Sequence, residues 1–266
     1  MNYAVRIDNI TFRYPGAEYP VFENLSIKLP HGVSTFMGQN GTGKSTLLLL
    51  AAARILPESG KILLLDRETG ELQDETLQNQ YASFLYQNME FESEEKIGKL
   101  LEFVYENGFC KEKTGNLIKT LVDICELENI LLKKIGEISK GELQRTIIAF
   151  SLLYGSKTIF MDEPVFALEK KQKEKIMDFI VTHSRENKIS YFYSAHDISI
   201  SEKYSDYLVL FHKDRSIKIG KTAELLTKEN IENAYQMPEA LLYQHEHLHR
   251  THLIEAAKKA NSNFCK

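Results

Sequence analysis

The sequence predicts an α/β protein in which a parallel sheet, buried on both faces, is preceded by an antiparallel β subdomain and interrupted by an inserted helical subdomain. Two observations predict its core. Short apolar runs, "GVSTFM", "ASFLYQ", "TIFMDE" and "SYFYSAH", are separated by stretches with helical spacing, the pattern of strands covered on both sides. Each run ends in something polar: a glycine-rich loop from Gly38, then Gln87, then Asp162 with Glu163, then His196. Ligands bind beyond the carboxyl ends of such strands, so four strands are expected to deliver chemistry to one edge.

The flanking elements come from pattern. "AVRIDNITFRY" and "LSIKL" alternate as half-buried strands around the turn-forming "YPGAEYP". A helix is expected from Thr46, and the apolar "LLLLAAARIL" after it reads as a buried helix. That run is about half the length a bilayer span needs and contains Arg54. Apolar spacing in "IGKLLEFVYENG" and "NLIKTLVDICELENILL" predicts the helical subdomain, over about residues 90–155. "YLVLFHKDRSIKIG" predicts a hairpin around Lys213 and Asp214, and a polar helical tail is expected from Ala223 to the end.

Composition narrows the class. The chain has 266 residues and a formal charge of −4, so no broad basic surface draws it to nucleic acid. Cys110, Cys125 and Cys265 are odd in number and far apart, which argues against a disulfide framework and fits a reducing cytoplasm. "MNYAVRIDNITF" lacks the build of a signal peptide. Any membrane part is expected on another chain.

"GQNGTGKST" supplies the first chemistry. Gly38, Gly43, Lys44 and Ser45 satisfy G-x-x-x-x-G-K-[ST] between a predicted strand and helix. Glycines let backbone N–H groups turn inward around phosphate, Lys44 adds a charge for the β- and γ-phosphates, and the helix N-terminus adds its dipole. Gln39, Asn40, Gly41, Thr42 and Thr46 complete the loop, and Ser45 is a Mg²⁺ ligand candidate. A nucleoside triphosphate is the expected ligand. Asp162, ending a buried strand, is placed to hold the Mg²⁺ shell, and Glu163 to orient or deprotonate an attacking water.

"EISKGELQRTIIAF" admits two readings. Ser139 and Gly141 open a helix and so form a second anion site; equally, Ser139 with Glu142 three residues on is a capping box.

The order of Tyr14, "GQNGTGKST", Gln87, "ISKGE", "TIFMDEP", "FALE" and His196 resembles that of the ATP-binding-cassette (ABC) ATPases, over roughly residues 3–222. The resemblance implies a P-loop NTPase core of the RecA-like type, a nucleotide-binding domain over residues 1–222 and a tail over 223–266. It implies ATP and Mg²⁺ as cofactors, with Tyr14 stacked on adenine and Gln87 reaching Mg²⁺ or the attacking water. His196 is implied to touch the γ-phosphate and Glu163. Ser139, Gly141 and Glu142 are implied to complete the site of a second copy, so that two ATP molecules lie between two subunits.

Two departures stand out. Ile138, Ser139, Lys140, Gly141 and Glu142 replace the usual Leu-Ser-Gly-Gly-Gln, and Glu169 stands where the loop after Glu163 normally ends in Asp. Lys44, Asp162 and Glu163 are retained, so an active ATPase is expected.

The implied role is the cytoplasmic ATPase subunit of an ABC transporter, peripheral on the inner face of the cell membrane. Its implied partners are a second ATPase subunit, integral-membrane permease chains and a substrate-binding protein, with no nucleic acid. "TAELLTKENIENAYQM" resembles the tail of importer ATPases for iron chelates, haem, cobalamin or metal ions. An exporter subunit and a soluble assembly or scaffold ATPase are the alternatives. The stretch around Glu90, Glu92, Glu94 and Glu95, with Phe91 and Phe109, reads either as a solvated acidic loop or as a dock for a basic helix of the permease. His245, His247, His249 and His252 read either as polar histidines of an exposed helix or, through His245, His249 and His252 on one face, as ligands of Zn²⁺ or a similar ion.

Overall fold

The structure is a computed structural model that describes residues 3–87, 89–110, 115–238 and 241–242. In chain order the strands are β1 (Tyr3–Phe12), β2 (Phe22–Pro30), β3 (Val33–Met37), β4 (Ser59–Leu64), β5 (Arg67–Glu68), β6 (Ala82–Leu85), β7 (Thr158–Met161), β8 (Ser190–Ser194), β9 (Tyr207–Phe211) and β10 (Ile217–Lys221). The helices are α1 (Lys44–Ala51), α2 (Glu75–Tyr81), α3 (Ile97–Asn107), α4 (Asn116–Ile124), α5 (Lys140–Leu153), α6 (Lys170–Asn187), α7 (Ile198–Tyr204), α8 (Thr222–Leu225) and α9 (Lys228–Tyr235).

Two sheets form. The first is antiparallel in the order β2-β1-β4-β5; the second has the order β10-β9-β3-β8-β7-β6. Pairings from β9 through β3, β8 and β7 to β6 are all parallel, and β10 adds one antiparallel edge. The four apolar runs are therefore adjacent parallel strands, and their carboxyl ends share one edge.

Side chains alternate across the second sheet, as period two requires. Ile159, Met161, Tyr191 and Tyr193 face a core shared with α3 to α6, whereas Phe160 and Phe192 face a core shared with α1 and the first sheet. Helix α1 is thus packed between the two sheets. In the helical insert, Ile97, Leu101 and Tyr105 recur at every fourth position and are buried, the face that spacing predicts.

Three expectations from the sequence are corrected by the fold. First, α1 begins two residues before Thr46 and stops at Ala51, so "LLLLAAARIL" is only half helix. Ala53 takes a left-handed φ of 58°, and the Arg54 N–H turns back to Leu49 O at 2.9 Å, a closure that ends a helix even where the next residues are apolar. The Arg54 side chain is then drawn away to Gln78, Asn79 and Ala82 O. Second, the alternation of β1 is broken at Asn9 (φ 53°), where its register with both neighbours shifts. Third, the segment after β10 is not simply polar: Ile231, Ala234 and Tyr235 of α9 pack with Met37, Leu208 and Leu210 of the parallel sheet.

Strand β4 and helices α2, α6 and α7 are further elements that the sequence patterns did not single out. Among the described residues no helix is long and apolar enough to cross a membrane. His245, His247, His249 and His252 lie outside the described residues.

Candidate nucleotide site

The glycine-rich loop fills the gap between β3 and α1, and packing explains its glycines. Gly38 has φ 142°, and a Cβ there would lie 2.5 Å from Phe211 O; Gly43 has φ 100°, and a Cβ would lie 2.7 Å from the Phe22 ring. Both conditions exclude any other residue. Gly43 caps α1, so the N–H groups of the first helical turn open toward the loop. Asn40, Gly41 and Ser45 are exposed and Gln39 half-buried. The Thr42 hydroxyl donates to Gln39 O at 2.8 Å.

Lys44 is buried, and its Nζ donates to Gly38 O at 2.8 Å and Gln39 O at 2.9 Å. Burial pushes its pKa down to about 8, against the opposing fields of Glu163 and Asp162. The lysine is tethered to carbonyls of its own loop. Tyr14 is 40% exposed; its ring meets Phe12 edge-on at 5.0 Å and its hydroxyl bonds the hydroxyl of buried Thr46 at 3.1 Å.

The carboxylates are carried by β7. Asp162 and Glu163 come directly after it, flanked in the sheet by β6, which leads to Gln87, and β8, which leads to His196. Adjacent strands lie about 4.8 Å apart, so side chains just beyond three neighbouring ends can meet on the middle one. Gln87 Nε2 donates to Glu163 Oε2 at 3.0 Å. His196 Nε2 lies 3.0 Å from Glu163 Oε1. Both carboxylate oxygens are therefore held, one by each neighbour.

Ser194, which sequence reasoning missed, supports this group from below. It is fully buried. Its hydroxyl donates to Asp162 Oδ1 and accepts the Glu163 N–H at 2.9 Å. Glu163 has a left-handed φ of 50°, uncommon for a residue with a side chain, and the Ser194 bond pins that peptide. The signal was a serine two residues before His196, directly after the aromatic run Tyr191, Phe192 and Tyr193. Lys173 was also missed: buried in α6, its Nζ meets Asp197 Oδ2 at 3.4 Å, beside His196.

The "ISKGE" segment shows the capping box. Ser139 Oγ accepts the Glu142 N–H at 3.3 Å, and Glu142 Oε2 accepts both the Ser139 N–H and its hydroxyl at 2.7 Å. Partial burial of the Glu142 carboxyl works to raise its pKa, but the Ser139 bonds prevail and hold it below the usual carboxylate range. Ser139 and Lys140 are exposed, and a Cβ at Gly141 would meet nothing within 4 Å. Among the described residues, nothing fills the space in front of this helix start at Gly141. Gln144 Nε2 donates to Pro164 O at 2.8 Å, linking the same helix to the turn behind Glu163. Glu169 caps α6, with Gln172 Oε1 accepting its N–H at 3.3 Å.

Around the acidic stretch, Phe91 packs on Phe150 and Phe109 on Tyr154, with ring centroids 5.8 and 5.5 Å apart. Glu94 pairs with Lys134 and Glu95 with Lys99. The large side chains displayed there are instead Tyr86 and Met89, because the phenylalanines are used by the insert's own packing.

The chain matches the model of the ABC transporter family over residues 22–166, which includes the phosphate loop, Gln87, the "ISKGE" segment and both carboxylates. It is 30% identical over 237 residues to the petrobactin import ATP-binding protein YclP of Bacillus subtilis, covering 88% of this chain and 93% of that one. With the iron(3+)-hydroxamate import ATP-binding protein FhuC of Bacillus subtilis the identity is 24% over 223 residues, covering 82% of each. The fold matches a dimeric post-hydrolysis structure of the ATP-binding cassette MJ0796 bound to ADP and phosphate, with TM-score 0.69 at 24% identity, covering 82% of this chain and 98% of that one. The sheet edge that gathers Lys44, Asp162, Glu163, Gln87 and His196 thus sits in a matching sequence and a matching fold, and the chain belongs to the ABC transporter family as its ATPase cassette.

Proposed function

We propose that this chain powers uptake of an iron chelate or a related metal-bearing solute, working as a pair of copies beneath separate permease chains on the inner face of the cell membrane. The observation that carries the ATPase chemistry is the grip on Glu163 by Gln87 and His196 beside the phosphate loop. Import and the iron-chelate class are supported by likeness to the petrobactin and iron(3+)-hydroxamate import proteins YclP and FhuC.

In this reading the loop from Gly38 to Thr46 wraps the phosphates, and Lys44, held by its two loop carbonyls, turns its remaining N–H to a phosphate oxygen. Tyr14, exposed at the mouth, stacks on the adenine. Ser45 and Asp162, with Gln87, offer hard oxygen ligands of the kind Mg²⁺ takes; the ion, when bound, neutralises phosphate charge. Glu163 then orients and deprotonates the attacking water. To do so it must be released by Gln87, and the Gln87 amide is on the segment that also carries Tyr86 and Met89. Nucleotide state therefore reaches the surface where a permease helix docks. His196 holds Glu163 in line and reaches the γ-phosphate.

Exposed Ser139 and half-buried Gly141, whose Cβ position is open among the described residues, complete the site of the second copy. Glu142 competes for that role, since it already occupies the Ser139 hydroxyl and N–H. Approach of a γ-phosphate would turn the hydroxyl from the carboxylate to phosphate, so Glu142 sets a cost on closure that an amide at that position would not. The substrate reaches the permease from a binding protein, and no nucleic acid takes part.

Purification of the full chain from membranes in mild detergent, with identification of its partners, tests this. A polytopic membrane protein at equal stoichiometry, and loss of iron-chelate uptake in cells carrying Lys44→Ala, are expected. Recovery with only a soluble partner or nucleic acid would overturn transport, and unchanged iron-chelate uptake with a permease still bound would overturn the cargo.

A further inference from the structure

The C-terminal part of the described chain reaches the phosphate loop. Helix α9 ends at Tyr235, which is 8% exposed and sits in the cluster of Met37, Leu208, Leu210, Ile231 and Ala234. Its hydroxyl accepts the N–H of Gly38 at 3.1 Å, across 197 positions of sequence. The side-chain amide of Gln39 donates to the Tyr235 backbone carbonyl. One residue at the end of one helix thus holds the first two residues of the loop.

The need for such an acceptor is physical. Strand β3 ends at Met37, so the buried Gly38 N–H lies past the last residue of the strand ladder and must find an oxygen elsewhere. The Gly38–Gln39 backbone is held from two sides: Tyr235 on the N–H side, and Lys44 on the carbonyls of both residues. The two tethers differ in kind: the Lys44 ammonium has a third N–H besides the two on the carbonyls and so can take phosphate as well, whereas the Tyr235 hydroxyl acts on the loop backbone.

We propose that Tyr235 is a positioning residue of the nucleotide site, its hydroxyl keeping the start of the phosphate loop in the shape that receives phosphate. This rests on the reading of residues 38–46 as the ATP loop. Without the hydroxyl, the Gly38 peptide must be ordered by the nucleotide itself, and affinity falls by that ordering cost. The tether acts on how phosphate is received, so its loss is read in the ATP Kd and KM more than in kcat.

The experiment uses the full chain with ATP and Mg²⁺, measuring Kd by calorimetric titration, steady-state KM and kcat, and Tm without nucleotide. Tyr235→Phe keeps the buried ring and removes only the hydroxyl; Kd and KM should rise roughly three- to tenfold, with kcat within about twofold of wild type. Ile231→Ala loosens the same cluster without touching the hydroxyl, and should lower Tm while leaving Kd in place. A Tyr235→Phe Kd within about twofold of wild type, or an equal Kd rise in Ile231→Ala, overturns the assignment. Wild type and Lys44→Ala in the same titration separate the two readings. If wild-type chain shows no saturable ATP binding, the nucleotide reading itself falls. If wild type binds, Lys44→Ala does not, and Tyr235→Phe is unchanged, only the role of Tyr235 falls.

Discussion

Replacing Ser194 by alanine removes one oxygen and tests the architecture beneath the carboxylates. In the native chain that oxygen, fully buried, accepts the Glu163 N–H at 2.9 Å and its hydrogen goes to Asp162 Oδ1. Alanine is isosteric enough that no cavity of note forms, so the cost is polar. It comprises one bond to a carboxylate and one backbone N–H left without its partner, together about 2–4 kcal/mol. For a chain of this size each kcal/mol moves Tm by about 2–4 °C, so a fall of about 4–16 °C is expected in a calorimetric scan without nucleotide. The functional effect should exceed the thermal one. Glu163 holds a φ of 50° that costs about 1 kcal/mol or more for a non-glycine residue and persists only where surroundings enforce it. With the pin gone the peptide relaxes, and the carboxylate leaves the line set by Gln87 and His196. Displacements of about 1 Å at a reacting group cost on the order of a hundredfold, so kcat in a phosphate-release assay should fall about 30- to 100-fold, while ATP Kd stays within about threefold. A Ser194→Ala chain with wild-type kcat and a Tm within about 1 °C of wild type would refute the idea that this hydroxyl organises the pair.

The same geometry sets three further outcomes. Glu163→Gln should keep ATP binding, abolish turnover and trap a pair of copies; light scattering with ATP and Mg²⁺ should read twice the monomer mass, and a monomeric variant that hydrolyses normally removes Glu163 from its role. Lys44, lowered to about 8 from 10.5 by burial, binds fewer protons folded than unfolded between those values. Its contribution therefore makes stability rise with pH across that window, the penalty of the buried ammonium being fully present below about 8. Phosphate restores the charge, so ATP binding should take up a proton above pH 8 and weaken from pH 8 to 9; titration calorimetry in buffers of different ionisation heat checks this, and pH-independent affinity without proton uptake counts against it. Gly38→Ala would set a Cβ 2.5 Å from Phe211 O at a φ of 142°, and should lower stability by about 3 kcal/mol or more, seen as a thermal shift, with ATP binding lost alongside.

Much of the site could be read from the chain because a parallel sheet translates sequence position directly into place. A buried strand presents its last polar residue at the carboxyl edge whatever the rest of the fold does, so Gln87, Asp162, Glu163 and His196 needed no tertiary information. Where one local segment served two ends, periodicity misled. The apolar run after Thr46 continued past Ala51 because Ala52 and Ala53 are still buried, yet the backbone had already turned at Ala53. Both readings of the acidic stretch, a solvated loop or a dock, place it at the surface, but Phe150 and Tyr154, about fifty residues later in the chain, draw Phe91 and Phe109 into the packing of the insert.

The supporting residues were hidden for a different reason. The Gly38 and Glu163 amides require acceptors, but any oxygen that arrives will serve, and nothing in the local sequence names the one that does. Ser194 comes from a neighbouring strand and Tyr235 from the end of a helix beyond the whole sheet. Residues that touch phosphate or water are constrained in type by chemistry and therefore announce themselves as motifs. Those that satisfy a backbone N–H are constrained only in position. A reading of "GQNGTGKST" thus finds the ligand but not what keeps its loop in shape, and for this cassette part of that support comes from α9, outside the matched segment of the family.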